Sequence, residues 1–222
     1  LKAKWNFQEL SVDVLKDLLT NHSIKKVIFS TVVGLKEEIS ALLNNHKNVI
    51  ELTPATLVPF ENTYDSPSTL GKDRIAAVAG AVSDFPRSNC LVIDAGTCIT
   101  YEFLNAKHQY LGGNISPGLN MRFRAMHEFT NALPLVTKHT INTSIGTNTQ
   151  QALQNGGAWG SLLEMEGIIA WASSKWQQLN VILTGGDADF FANHLKSKIF
   201  VQPDLVLIGL NKILEYNAEL SK

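Results

Sequence analysis

The order of apolar segments predicts an α/β protein built as two lobes. Three observations carry this. β-branched apolar runs alternate with helical repeats through the first part of the chain. Three short strands then follow one another with only tight turns between them. A late strand, "NVILT", runs through paired glycines into another helix. Strand–helix alternation is the signature of a sheet covered by helices.

The elements follow in order. "SVDVLKDLLTNH" (Ser11–His22) carries Val12, Val14, Leu15, Leu18 and Leu19 at helical spacing, with Ser11 as its N-cap. "KKVIFSTVVG" (Lys25–Gly34) reads as a buried strand. "LKEEISALLNNH" returns to helix and "NVIELT" to strand. "ENTYDSPSTLGKDR" (Glu61–Arg74), polar and broken by Pro67 and Gly71, is a loop entering the helix "DRIAAVAGAVSDF" (Asp73–Phe85), whose small alanines permit close packing. "CLVIDAG", "TCITYEFLNA" and "QYLGGNISPG" are three consecutive strands. A helix starts after Pro117, and "NTSIGTNTQQALQNG" supplies a turn and a helix start. "AWGSLLEMEGIIAWASSKW" is a long helix. The tail "PDLVLIGLNKILEYN" reads as a short strand and then a helix. The pattern changes near Asn89, so residues 1–89 form the expected N-terminal lobe and 90–222 the C-terminal lobe.

Composition narrows the function classes. Hydrophobic residues make up 45% of the 222-residue chain, charged residues 18%, and the formal net charge is -1. No global field favours nucleic acid or an anionic membrane, and no apolar run is long enough to span a bilayer. Two cysteines, Cys90 and Cys98, do not suggest a disulfide framework and point to a reduced, cytoplasmic setting. The six histidines are scattered without metal-ligand spacing, so no structural zinc site is expected. The chain opens at Leu1 without an initiating strand signal, and residues upstream are expected to be missing from it.

Four constellations carry chemistry. In "LVIDAGTCITYEF" a strand ends on Asp94, and a charge there costs free energy unless it is paired, metal-bound or functional. Gly96 allows close backbone approach and Thr97 adds a hydroxyl and an amide. Together they suit a hairpin that holds nucleotide phosphates and a cation. Read alone, the turn is also an ordinary hairpin. In "LTGGDADF" Gly185 and Gly186 permit flat approach of a ring or sugar, or simply make a tight turn with Asp187 as helix N-cap. In "GKDR" (Gly71–Arg74) Arg74 could bind a carboxylate through two parallel hydrogen bonds and Asp73 accept a proton from a hydroxyl. A helix cap with a local Asp–Arg pair fits the same residues. "YLGGNISPGL" redirects a strand into a helix.

DAGT followed about ninety residues later by strand–TGG–helix resembles the phosphate and adenosine motifs of the actin-like ATPase superfamily. "YDSPSTLGKDR", "LVIDAGTCIT", "YLGGNISPGLNMRFRAMHEFTNALP", "IGTNTQQALQNG", "ILTGGDADFF" and "PDLVLIGLN", spanning Tyr64 to Asn211, resemble one family in particular, the type III pantothenate kinases. That resemblance implies the actin-like (ribonuclease H-like) fold, with two lobes that each hold a mixed sheet flanked by helices. It implies ATP-dependent phosphorylation of pantothenate, the first step of coenzyme A synthesis. It also implies a divalent ion, usually Mg²⁺, a monovalent cation such as K⁺ or NH₄⁺, and a homodimer with pantothenate near the subunit interface. Asp73 matches the family's general base. Tyr64, Gly71, Lys72, Arg74 and Thr149 match pantothenate contacts. Asp94 matches the monovalent-cation ligand, and Gly96, Thr97, Gly185 and Gly186 the ATP site. The family's first phosphate hairpin, D-x-G-N-T-x-x-K, has no match in this chain. Lys72 holds a variable place that is often small, and Cys98 one where alanine is common. Two other readings stay open on these residues: a catalytically inactive regulatory protein on the same fold, and another small-molecule kinase of that fold.

Overall fold

The computed structural model describes residues 3–7, 9–140 and 145–220. The N-terminal part alternates as expected. Helix α1 (Val12–Asn21) is capped by the Ser11 hydroxyl, which accepts from the Val14 amide at 3.3 Å. Strand β1 (Val27–Phe29), helix α2 (Glu37–Asn44) and strand β2 (Val49–Glu51) follow, and β1 and β2 pair in parallel. The strand expected over Lys25–Gly34 is therefore only three residues long. Past Phe29 the apolar Val32 and Val33 stand in solvent, so no packing extends it.

The rest is organised by one mixed sheet. Strand β3 (Glu61–Asn62) leads through a short 3-10 turn (Pro67–Thr69) into α3 (Lys72–Asp84). The meander is β4 (Asn89–Ala95), β5 (Cys98–Leu104) and β6 (Gln109–Pro117). Helices α4 (Leu119–Glu128) and α5 (Thr149–Lys175), strand β7 (Leu179–Thr184), helix α6 (Ala188–Ala192), strand β8 (Phe200–Val201) and helix α7 (Leu205–Leu220) complete it. The strand order is β3-β6-β5-β4-β7-β8. β4, β5 and β6 run antiparallel, whereas β4–β7, β7–β8 and β3–β6 are parallel pairs.

Both faces of this sheet are covered, which is why its central strands read as continuous apolar runs. Side chains alternate. Leu91, Ile93, Ile99, Tyr101 and Leu183 pack under α4, α5 and α6, against Phe123, Met165 and Phe191. Cys90, Val92, Leu104, Tyr110 and Ile182 pack on the opposite face, against Ile75 and Val78 of α3 and Leu205 and Ile213 of α7.

The proposed boundary near Asn89 falls between α3 and the sheet on which α3 packs, and β3, from the N-terminal side of it, is an edge strand of that sheet. Other expectations need correction. The segments read as two pieces around Gly156 form one 27-residue helix, α5. Residues 142–144 of the turn expected before it lie outside the described residues. The tail forms one helix from Leu205, and the short strand precedes it at Phe200–Val201. The alanine-rich helix packs within the chain, where α3 is buried from Arg74 to Val82. A Cβ added to Gly209 of α7 would fall 1.7 Å from the Ala76 carbonyl oxygen, so the two helices meet backbone to backbone. Among the described residues no helix is long and apolar enough to cross a membrane.

This contact makes a stability prediction. Gly209→Ala must push α7 off α3 and is expected to lower the unfolding free energy by about 1–3 kcal/mol in urea titration. Gly167→Ala, mid-helix in α5 with nothing within 4 Å of the added carbon, is expected to raise it by about 0.5–1 kcal/mol. Equal effects of the two substitutions would contradict the packing described.

Candidate active site

The two glycine turns singled out in the sequence lie side by side. β4 and β7 pair in parallel with Asp94 opposite Thr184, so DAGT and TGG leave the same edge of the sheet. The Asp187 amide donates to the Ala95 carbonyl at 2.9 Å, tying the second turn to the first. The Gly118 amide donates to the Thr97 carbonyl at 3.1 Å, tying on the start of α4. Gly185 has φ +96°, and a Cβ there would lie 2.4 Å from Asp94 Oδ1, so only glycine fits between the strands. Asp187 makes no side-chain cap to α6 as expected of it; its carboxylate pairs instead with Lys138. Gly96, Thr97, Gly186 and Asp187 line a cavity of about 650 Å³ whose other wall is α4, at Met121 and Arg124.

Asp94 is half-buried at the root of these turns. Burial raises its pKa from 3.8 to about 6, and the negative charges of Asp73 and Glu102 add to the rise. Three carboxylates thus share one neighbourhood, and that surplus of negative charge suits a cation. Among the described residues no group of three His, Cys, Asp or Glu side chains is arranged to cage a metal.

Asp73 lies in the first turn of α3 and is exposed. The helix has no side-chain cap, and Asp73 makes no ion pair with Arg74. The plain reading of GKDR, a helix cap with a local Asp–Arg pair, is therefore not the geometry found. A Cβ on Gly71 would lie 2.5 Å from Asp73 Oδ1, so glycine leaves the space into which the carboxylate turns.

Two neighbours differ from expectation. Arg74 is 6% exposed and its fork is already used. Nε donates to Glu102 Oε1 at 2.7 Å, and Nη2 donates to Glu102 Oε2 and to Tyr110 Oη, both at 2.9 Å. The two-bond clamp on a substrate carboxylate is thus closed, because Glu102, fully buried on β5, occupies it. Lys72 Nζ turns toward the small sheet, donating to Glu51 and to the Thr31 carbonyl at 3.1 Å each. Tyr64 stays with the group; its ring lies 5.5 Å from the Arg74 guanidinium carbon and stacks on Tyr110. Thr149 does not join it. It lines a second cavity of about 470 Å³ with Met126, Leu133 and Leu153. Glu102 and Tyr110 escaped the sequence reading. The available signal was a carboxylate inside the otherwise apolar run "CITYEFL".

The Asp94 environment sets a pH dependence. Its folded pKa lies above its unfolded value, so it opposes folding where the unfolded form alone is ionised. The penalty is absent below about pH 4, grows between about pH 4 and 6, and is complete above 6. Asp94→Asn is expected to stabilise the ligand-free protein by up to about 3 kcal/mol at pH 8 and to have little effect near pH 3.5, as read by denaturant melts. A destabilised Asn variant at pH 8 would refute this.

Comparison with known proteins agrees with the geometry. Residues 4–171 match the type III pantothenate kinase family. A type III pantothenate kinase of Bacteroides fragilis is 46% identical over 208 residues, 93% of this chain and 86% of that one. The corresponding protein of Christiangramia forsetii is 44% identical over 195 residues, covering 88% and 80%. A solved Campylobacter jejuni structure, described as a conserved Baf family transcriptional activator, superposes with a TM-score of 0.58 at 26% identity, covering 88% of this chain and 85% of that one. With most of its length matched at such identity, the chain belongs to the type III pantothenate kinase family.

Proposed function

We propose that the chain transfers the γ-phosphoryl group of ATP to the primary hydroxyl of pantothenate, the first step of coenzyme A synthesis. Family membership supports the reaction, and one observation of the site supports the way it is performed. Among the described residues the Asp73 carboxylate has no hydrogen-bond or ion-pair partner, and its negative charge is felt at Asp94. Asp73 takes the proton of the attacking hydroxyl. Tyr64 and Gly71 form the substrate side. The nucleotide lies in the cleft between the turns and α4, against the backbone amides of Thr97 and Gly186, with Gly185 at the root of its turn and the Gly96 amide already donated to the Cys98 carbonyl. Phosphoryl transfer asks the protein mainly for positioning and charge stabilisation, which such amides provide.

Asp94 holds a monovalent cation, K⁺ or NH₄⁺, whose charge relieves the cost of burying that carboxylate. Mg²⁺ neutralises phosphate charge when bound and arrives with the nucleotide, in keeping with its preference for phosphates and water over protein cages. Thr149 sits in a cavity apart from Asp73. It therefore serves a pantothenate site completed by a second copy in a homodimer, and the half-exposed Leu163 and Trp171 of α5 offer apolar surface for it. Free Cys90 and Cys98 are consistent with a reducing, cytoplasmic setting. The activator description of the Campylobacter protein offers a regulatory reading. The unpaired Asp73 and the near-neutral net charge favour the kinase.

A coupled ADP assay with pantothenate, glucose and acetate tests the substrate. Turnover with pantothenate alone is expected, and turnover with either other acceptor but not pantothenate would overturn the reading. Asp73→Asn is expected to lower kcat by about 10²- to 10⁴-fold with little change in nucleotide affinity. Removing K⁺ and NH₄⁺ in favour of Na⁺ is expected to abolish most activity, and K⁺ should raise the melting temperature of the wild type more than that of Asp94→Asn.

A further inference from the structure

We infer that Glu102 is a positioning residue that keeps Asp73 unpaired by holding the neighbouring Arg74 guanidinium away from it. The inference rests on the reading of Asp73 as proton acceptor. In sequence Asp73 stands between two cations, Lys72 and Arg74. Either could pair with it, and a paired carboxylate is a weaker base and a less accessible one. Each cation is instead drawn off by another carboxylate. Lys72 goes to Glu51, a partly exposed contact. Arg74 goes to Glu102, in a pair closed from water on both sides.

The competition is local. Asp73 Oδ1 lies 2.5 Å, and Arg74 Cγ and Cδ each 3.6 Å, from the same point above Gly71. The stem of Arg74 therefore passes the Asp73 carboxylate, and its fork reaches Glu102 beyond it. Glu102 holds both fork nitrogens. The Tyr110 hydroxyl accepts from Arg74 Nη2 and donates to Glu102 Oε2 at 2.6 Å, fixing the acceptor as well. Tyr64 closes the remaining side with its ring. A buried ion pair of this kind is seldom a stability device, since apolar residues of similar volume often serve as well. Steering a charge is a better account of why the pair sits beside the site.

The test is a cycle of variants measured at saturating ATP and pantothenate, each checked for a cooperative thermal melt. Glu102→Gln keeps the shape and loses the charge. It is expected to lower kcat by about 10- to 100-fold while both KM values change less than about threefold. In an Asp73→Asn background the same substitution is expected to cost nothing further in kcat. Arg74→Gln with Glu102→Gln removes the cation that Glu102 holds off, leaves Lys72 on Glu51, and is expected to recover most of the lost kcat; it also leaves no unpaired buried charge, so it still folds if Glu102→Gln alone does not. Wild-type kcat in Glu102→Gln, an equal loss in the Asp73→Asn background, or no recovery in the folded double variant would each overturn the inference. If Asp73→Asn keeps full kcat, the proton-acceptor reading falls and this one with it. If Asp73→Asn is impaired and Glu102→Gln is not, only this one falls.

Discussion

The parallel pairing of β4 with β7 is the constraint on which the rest depends. It sets Asp94 opposite Thr184, and by doing so brings two turns from distant parts of the chain to one sheet edge. The pairing is held by burial on both faces, with Leu91 and Ile93 to one side and Cys90 and Val92 to the other. A one-residue slip would exchange those faces and carry Asp94 away from the glycine that accommodates it.

On that frame the site is a problem in charge placement. Asp73, Asp94 and Glu102 are close enough for each of the other two to raise the Asp94 pKa. The Arg74 guanidinium beside them is consumed by Glu102. What remains is net negative charge at the root of the turns, whose glycines and Thr97 line the cavity. Such a place suits cations and the phosphates that bring them, and it leaves the Asp73 carboxylate exposed, as the proposed proton transfer requires. The division of labour follows from environment: the half-buried Asp94 is raised and the exposed Asp73 is left bare.

Much of this was legible in the chain. The helix at Ser11, the β4–β6 meander and the strand before TGG all follow from period and punctuation, and the structure has each of them. The stretches that misled were those in which propensity had no tertiary partner to agree with. Lys25–Gly34 is β-branched throughout, but only Val27–Phe29 pairs. The alanines of α3 announced close packing correctly and left the partner open; it is α7 of the same chain.

The sequence by itself determined the fold class, the two glycine turns and the identity of Asp73 and Asp94 as the charged groups placed at element ends. Those are local facts, written in the spacing of apolar residues, glycines and carboxylates. Tertiary structure decided the partners. Whether Arg74 grips Asp73, a substrate or Glu102 depends on which strand passes behind α3, and Lys72 is settled by the position of Glu51 on a separate small sheet. Thr149 likewise lies away from Asp73 because α5 begins beside α4. Side-chain pairing is a matter of distance in three dimensions, and neighbours in the chain, such as Asp73 and Arg74, need not be partners in the fold.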